Sequence, residues 1–389
     1  MEFRSQEEPR PPRRERITSI DALRGLVMLL MLVDHAREFF YLHAQVTDPM
    51  DLSITPPALA FTRLTAHLCA PVFVLLTGLA TSLYAVKHGG PGAASAFLLK
   101  RGLFLVLLEV TLVNFAWTFA LPPRILYLQV IWAIGLSMIA LAGLLWLPRP
   151  VLLAVALAIM LGHNLLSPLD FAPGEPGHEL WAILHDRGWL HLPGGLVART
   201  SYPVLPWVGV IAAGYTLGGL FQVGVPSDAR RRGLVRLAGA ALAGFGLLRA
   251  LNGYGEPVPW RTGADALGTV LSFLNLTKYP PSADFLLLTL GVGLLLLALF
   301  ERWPGRVTDA LGVFGGAPLF FYLLHLYVLH GLYRLGLALL GPNVGERLGV
   351  GSPLQLWFLA AAVVVPLYPC CRAFVRLKRR SGSVWLSYL

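Results

Sequence analysis

Long apolar runs separated by short polar stretches dominate the chain. An apolar run of about 18 or more residues is typical of a helix that crosses a membrane. The pattern therefore predicts an all-α polytopic membrane protein with about ten transmembrane helices and no soluble domain. The ten segments lie at about 19–41, 58–85, 97–119, 125–147, 149–165, 203–222, 233–250, 283–301, 311–334 and 354–375.

The stretches between these segments are too short to fold as a soluble domain. The two longest, 166–202 and 251–282, are rich in Pro, Gly, His and Trp, and loops of this length often serve binding. Within the second, about 13 apolar residues at 264–276 predict a short interfacial or re-entrant helix. The predicted organisation is a disordered basic cytoplasmic tail at 1–16, a transmembrane domain at 17–378 and a cytoplasmic tail at 379–389.

The first segment contains ionisable residues within its apolar run. Thr18 and Asp21 have the spacing of a capping box, which predicts the start of the helix. Arg24 and His35 are eleven residues apart. At about 100° per residue they lie on one face, about 16 Å apart along the axis. Because ionisable groups in a membrane helix are costly, both residues are functional candidates.

Further polar residues lie at a depth similar to that of His35. They are His67 in the second segment, Glu109 in the third and His325 in the ninth. Pro71 is expected to kink the second segment close to His67. The sequence thus predicts that three histidines and a carboxylate converge in one leaflet.

A neutral imidazole oriented by a carboxylate is the arrangement that a general base needs. His35, oriented by Asp34 or Glu109, is the candidate base, and His67 is an alternative. The competing interpretation is structural: His35 would pack against a neighbouring helix, and Arg24 would pair with Asp21.

Composition excludes several classes of protein. Hydrophobic residues make up 56% of the 389 residues and charged residues 13%, which rules out a soluble protein of this length. The net charge of +10 does not indicate nucleic-acid binding, because the basic residues lie at helix ends as the positive-inside rule predicts. This asymmetry predicts that both termini are cytoplasmic and that 166–202 and 251–282 lie on the opposite side of the membrane.

Two further kinds of site have no support in the sequence. Three cysteines form no disulfide framework. His325 and His330 are five residues apart, not the four of a helical metal site, and there is no HExxH motif. No metal site is therefore predicted.

Several segments resemble the bacterial branch of the heparan-alpha-glucosaminide N-acetyltransferase catalytic-domain family, and the resemblance runs from about residue 17 to residue 375. The arginine, ten residues and histidine of the first helix also resemble the hallmark of the acyltransferase-3 family. The segments are SIDALRGLVMLLMLVDHAR, HLCAPVFVLLTG, QVIWAIGLSMI, SYPVLPWVGV, LTKYPPSADFLLLTLG and APLFFYLLHLYVLH.

The resemblance implies transfer of an acyl group from cytoplasmic acyl-CoA to a hydroxyl or amine on the far side of the membrane. The family histidine, placed on His35, would be the base; His43, near the exit of the first helix, is another alternative. The family arginine, placed on Arg24, would hold the donor. Lys278 and His325, within the resembling segments, complete the candidate donor-binding set.

The sequence therefore favours an enzyme, a transmembrane acyltransferase that moves an acyl group, expected to be acetyl, from acyl-CoA to a hydroxyl or amine of a sugar. Its expected partners are membrane lipid, acyl-CoA and a carbohydrate acceptor, without nucleic acid; a homodimer is left open. The alternative is a proton-coupled transporter that uses the same His, Asp and Glu residues as a proton relay. The lack of an evident internal repeat argues against the transporter.

Overall fold

Helices account for most of the residues that the computed structural model describes, which are 17–41, 55–381, 383 and 386. His43 and the predicted tail at 1–16 lie outside these residues. The α-helices are α1 Thr18–Phe40, α2 Pro57–Ala66, α3 Cys69–Lys87, α4 Pro91–Leu108, α5 Asn114–Thr118, α6 Val130–Leu144, α7 Arg149–Gly162, α8 His178–Leu184, α9 Leu205–Leu217, α10 Ser227–Leu251, α11 Ala266–Leu274, α12 Ala283–Arg302, α13 Arg306–Gly315, α14 Pro318–Leu340 and α15 Pro353–Ser381.

Several of these helices are suited to a bilayer. Each predicted segment contains at least one helix, and six helical stretches within the described residues are long and apolar enough to cross a membrane. Helix α1 has 23 residues but includes charged side chains, and α6 and α9 belong to shorter apolar stretches. The chain is therefore a largely helical membrane protein. The six stretches are Pro57–Lys87, Arg149–Leu166, Ser227–Leu251, Ala283–Arg302, Pro318–Leu340 and Pro353–Ser381.

A small sheet departs from the all-α prediction. Strands β1 (Ile125–Leu128), β2 (Gly188–His191) and β3 (Val197–Thr200) form it in the order β1-β3-β2, with β1 parallel and β2 antiparallel to β3. The sequence predicted a helix over 125–128 because these residues directly precede a longer apolar run. A stretch this short has no periodicity that would distinguish a strand from a helix. Only the pairing with the 166–202 loop makes it a strand.

Proline interrupts two of the predicted helices. Pro71 has no N–H to donate to the carbonyl of His67, and the predicted kink appears as a break between α2 and α3 at residues 67–68. The ninth segment was predicted to be continuous, and that is wrong. It divides into α13 and α14, because Gly315 ends one helix and Pro318 occupies the first turn of the next.

The predicted capping box at the start of α1 is also wrong. Thr18 is already helical, Ile17 is the N-cap residue, and no side-chain hydrogen bond caps the helix. Asp21 instead accepts a hydrogen bond from Arg24 at 3.0 Å. The ion pair uses the carboxylate that a capping box would require.

Glycines allow the helices that frame the site to approach closely. A Cβ atom at Gly78 on α3 would lie 2.0 Å from the carbonyl oxygen of Ile211 on α9. At the end of α13, a Cβ atom at Gly315 would lie 1.8 Å from the carbonyl oxygen of Asp21 on α1. Small residues at such crossings permit backbone contact between membrane helices. These contacts fix α1 and α3, two walls of the site.

Candidate active site

A cavity of about 470 Å³ lies along one face of α1. Both Arg24 and His35 line it, as their eleven-residue spacing predicts. We call its two extremes the Arg24 end and the His35 end. Polar and aromatic side chains line both: Tyr84, Phe97, Arg101, Lys378 and Arg379 towards the Arg24 end, and Asp34, Gln129, Tyr202, Lys278 and Tyr322 towards the His35 end.

His35 is held by a second histidine. Its Nδ1 lies 2.7 Å from Nε2 of His325 on α14, and the two rings are nearly parallel. Trp117 and Tyr322 contact the His35 ring edge to face, at centroid distances of 5.0 and 5.8 Å. Packing and one short hydrogen bond thus fix the orientation of the ring.

The contacts of His325 also determine which nitrogen of His35 bears the proton. Nδ1 of His325 lies 2.8 Å from the carbonyl oxygen of Phe321, so this nitrogen must donate. In a neutral His325 the other nitrogen, Nε2, is then an acceptor, and Nδ1 of a neutral His35 donates to it. Nε2 of His35 consequently has a lone pair, and it has no hydrogen-bond partner in the described part of the chain.

Asp34 does not orient this ring, although the sequence suggested it. Its carboxylate accepts from Arg63 on α2 through both oxygens at 2.9 Å and from Nε of Arg37 at 3.2 Å. Arg37 also pairs with Glu38. Asp34 lines the cavity beside His35 and neutralises part of a cationic group that sequence analysis did not identify.

Glu109, the other predicted orienting carboxylate, is fully buried at the start of a π-helical turn, Glu109–Val113. It accepts from the backbone N–H groups of Trp132 at 2.9 Å and Gln129 at 3.3 Å. These groups lie at the first turn of α6, where helix N–H groups lack intrahelical partners and a negative charge is favourable. Glu109 therefore fixes the helix start that lines the cavity, without contacting His35.

His67, the alternative base, lies elsewhere. It is at the break between α2 and α3, is 3% exposed and packs against Phe285 at a ring-centroid distance of 5.1 Å. It is absent from the cavity lining. The predicted convergence thus brings together His35 and His325, whereas His67 and Glu109 form separate contacts.

At the other end of the cavity, Arg24 pairs with Asp21, as the structural interpretation of this residue predicted, and it also lines the cavity. Its guanidinium donates to Asp21 at 3.0 Å and to the carbonyl oxygen of Gly315 at 3.1 Å. With Arg101, Lys378 and Arg379 on the same lining, this end is strongly cationic. Clustered guanidinium and ammonium groups suit phosphate.

Lys278 enters the cavity from the loop before α12. The residue is 7% exposed, and its Nζ lies 5.4 Å from the centroid of the Tyr279 ring. Within the described residues it has no hydrogen bond or ion pair through its side chain. It is near enough to Asp34 and His35 to interact with both electrostatically.

A carboxylate holds the loop that contains Lys278. Glu256 accepts from the backbone N–H of Thr277 at 2.9 Å and from the hydroxyl of Ser282 at 2.6 Å. The hydroxyls of Tyr279 and Tyr202 are 3.0 Å apart. Burial raises the pKa of Tyr279, but the Lys278 and Arg63 cations outweigh it, and the net shift is downward.

Sequence analysis missed Arg63, Tyr202, Tyr279 and Glu256. Tyr202 and Tyr279 lie in the resembling segments SYPVLPWVGV and LTKYPPSADFLLLTLG, which were the available signal, whereas Glu256 lies about 20 residues before the second of these segments. Among the described residues, no three His, Cys, Asp or Glu side chains lie close enough together to bind one metal ion.

A helical membrane protein with this cavity is consistent with a membrane-embedded transferase. The family described as "Heparan-alpha-glucosaminide N-acetyltransferase, catalytic" matches residues 16–245, and the chain belongs to that family. Membership makes it a membrane acyltransferase, broadly an acetyltransferase. The match includes Arg24 and His35 but ends before Lys278 and His325. No curated protein gives a significant match to the chain.

Proposed function

We propose that the protein transfers an acetyl group from acetyl-CoA, bound with its phosphates at the Arg24 end, to a sugar hydroxyl or amine at the His35 end. The observation on which this rests is the single cavity that contains a cationic cluster at one end and a preoriented imidazole at the other. The separation of about 16 Å between Arg24 and His35 suits the length of a pantetheine arm.

In the proposed reaction, Nε2 of His35 takes a proton from the acceptor N–H or O–H while the acceptor attacks the thioester carbonyl. The carbonyl π electrons move to oxygen, then return as the C–S bond breaks. The CoA thiolate leaves and takes the proton from His35. The products are acetylated acceptor and CoA thiol, and the enzyme is unchanged.

We assign His35 as the base of a direct transfer and His325 as its positioning partner, which is supported by the hydrogen bond between the two rings. Asp34 holds Arg63 and Arg37 beside the base, and Glu109 fixes the start of α6. We place Arg24 on the donor phosphates and Lys278 beside the reacting acetyl end of the donor. Family membership favours a transferase over the alternative of a proton-coupled transporter.

The proposed location is the bacterial inner membrane, with cytoplasmic termini, donor entry from the cytoplasm and acceptor entry from the periplasm. Lysine and arginine residues at the proposed cytoplasmic helix ends support this orientation. Membrane lipid, acyl-CoA and a carbohydrate acceptor are the proposed partners, and a homodimer stays a prediction.

The decisive experiment compares His35→Gln with His67→Gln in purified protein, using acetyl-CoA and glucosamine as probes and following release of CoA thiol. We expect His35→Gln to lose about 10²–10⁴ in turnover, because base catalysis contributes about that much. His67→Gln, a buried histidine outside the cavity, should stay within about threefold of wild type. A larger loss of turnover in His67→Gln than in His35→Gln would show that the proposal assigns the base to the wrong residue.

Donor binding at the Arg24 end has its own test. Arg24→Gln should weaken acetyl-CoA binding about tenfold or more, since loss of a charge-assisted contact costs about 1.5–3 kcal/mol. Calorimetric titration measures the affinity, and thermal unfolding measures the separate loss of the Asp21 and Gly315 contacts. Unchanged affinity would leave Arg24 with a structural role alone.

A further inference from the structure

The side chain of Lys278 is a buried cation in a polar cavity. The residue is more than nine-tenths buried, and no carboxylate within the described residues pairs with its ammonium group. An ammonium group taken from water without a partner costs stability. Such a cost is consistent with a group whose partner arrives with the substrate.

The carboxylates that pair with arginines at the His35 end leave Lys278 without a counter-charge. The Arg37 and Arg63 cations are matched by Asp34 and Glu38 through ion pairs. Lys278 adds a third cation, and Asp34 already accepts from two guanidinium groups. This end therefore favours one additional negative charge.

The position of Lys278 indicates which negative charge that is. The donor phosphates belong at the cationic Arg24 end, about 16 Å from His35 along α1. Under the proposed function, the thioester carbonyl must instead lie beside the acceptor that is bound to His35. When the acceptor attacks, the carbonyl oxygen becomes an oxyanion, and preorganised positive charge in a dry site stabilises such an ion strongly.

The loop around Lys278 has the rigidity that this role requires. The Glu256 carboxylate binds Thr277 and Ser282 on either side of it, and Lys278 forms an isolated β-bridge with Pro281. The ammonium group also lies against the Tyr279 ring. Its position is thus set before substrate binds, so little reorganisation is needed during reaction.

We propose that Lys278 is the electrostatic catalyst of the transfer, with its ammonium group donating to the oxyanion of the tetrahedral intermediate. In this step the acceptor–carbon bond forms, the carbonyl π electrons go to the oxygen beside Nζ, and the proton goes to His35. Collapse restores the carbonyl and expels the CoA thiolate. This inference rests on the proposed function and adds a second catalytic residue to it.

The test compares Lys278→Met and Lys278→Arg with wild type. Acetyl-CoA is the donor, and glucosamine and water are the acceptors in parallel reactions. We expect Lys278→Met to lose about 10²–10³ in kcat while KM for glucosamine and affinity for acetyl-CoA change less than about threefold, because the contact forms only in the transition state. Lys278→Arg should recover at least tenfold of that loss.

Thermal unfolding separates catalysis from structure. Because Met removes an unpaired buried charge and keeps the length of the side chain, the melting temperature of Lys278→Met should equal or exceed that of wild type. The matched control is Arg187→Met. The Arg187 guanidinium lies 4.8 Å from the centroid of the same Tyr279 ring that Lys278 contacts, but Arg187 does not line the cavity. Its turnover should stay within about threefold of wild type.

Each remaining outcome has a defined meaning. Lower melting temperature together with lost activity, or an equal loss in Arg187→Met, would make Lys278 structural and overturn the proposal. Unchanged kcat with a tenfold higher KM for glucosamine would make it a receptor for an acceptor charge, which also overturns it. Wild-type protein that releases no CoA thiol with either acceptor would instead refute the proposed function.

Discussion

The hydrogen bond between His35 and His325 leads to a sharp prediction about tautomers. His325 is fully buried and is not among the residues that line the cavity, so we expect it to act through His35. Its Nδ1 donates to Phe321 at 2.8 Å, and its Nε2 accepts from His35 at 2.7 Å. His325→Leu removes the acceptor and His325→Gln can supply another through its amide oxygen.

The size of the effect follows from the contact. A net hydrogen bond of this kind contributes about 0.5–1.5 kcal/mol. Since about 1.4 kcal/mol corresponds to tenfold, the ratio of the Nδ1–H tautomer of His35 to its Nε2–H tautomer should fall about 2–12-fold in His325→Leu. The kcat of His325→Leu should therefore lie between that of wild type and that of His35→Gln. His325→Gln should recover most of it.

The assay is steady-state release of CoA thiol at saturating acetyl-CoA, together with titration of acetyl-CoA binding. KM and affinity for the donor should stay within about threefold, because His325 does not line the cavity. Full activity in His325→Leu, with His35→Gln inactive, would refute the tautomer argument. Weakened donor binding in both His325 variants would refute it as well and assign His325 to the donor.

Two further predictions concern packing and topology. Gly78→Ala should lower stability by about 1–3 kcal/mol in thermal or denaturant unfolding, because its Cβ would lie 2.0 Å from a carbonyl oxygen of α9. Gly143→Ala on α6 has nothing within 4 Å of its Cβ and should be neutral or stabilising; equal losses would contradict the close-packing argument. Topology is tested in intact cells that express the protein without Cys370, the exposed native cysteine. An impermeant thiol reagent should label Glu175→Cys and Thr262→Cys but not Ser227→Cys. The reverse labelling pattern would invert the proposed orientation.

Periodicity and apolar length, which are local properties, determined much of the architecture. They located most of the long helices and the short helix within 264–276, observed at Ala266–Leu274, while Pro71 indicated the break between α2 and α3. They also placed Arg24 and His35 on one face, because a helix fixes the direction of side chains eleven residues apart. The resembling segments supplied the family.

Contacts between distant residues decided the rest. The sequence could not show that His35 meets His325, because their hydrogen bond joins residues 290 apart. It likewise suggested that Asp34 and Glu109 orient the base, whereas one binds Arg63 and the other caps α6. A residue's depth in the membrane follows from its position in a helix, but its partner depends on how the helices rotate and pack. That is why the sequence identified the candidate base, whereas only the tertiary structure showed what holds it.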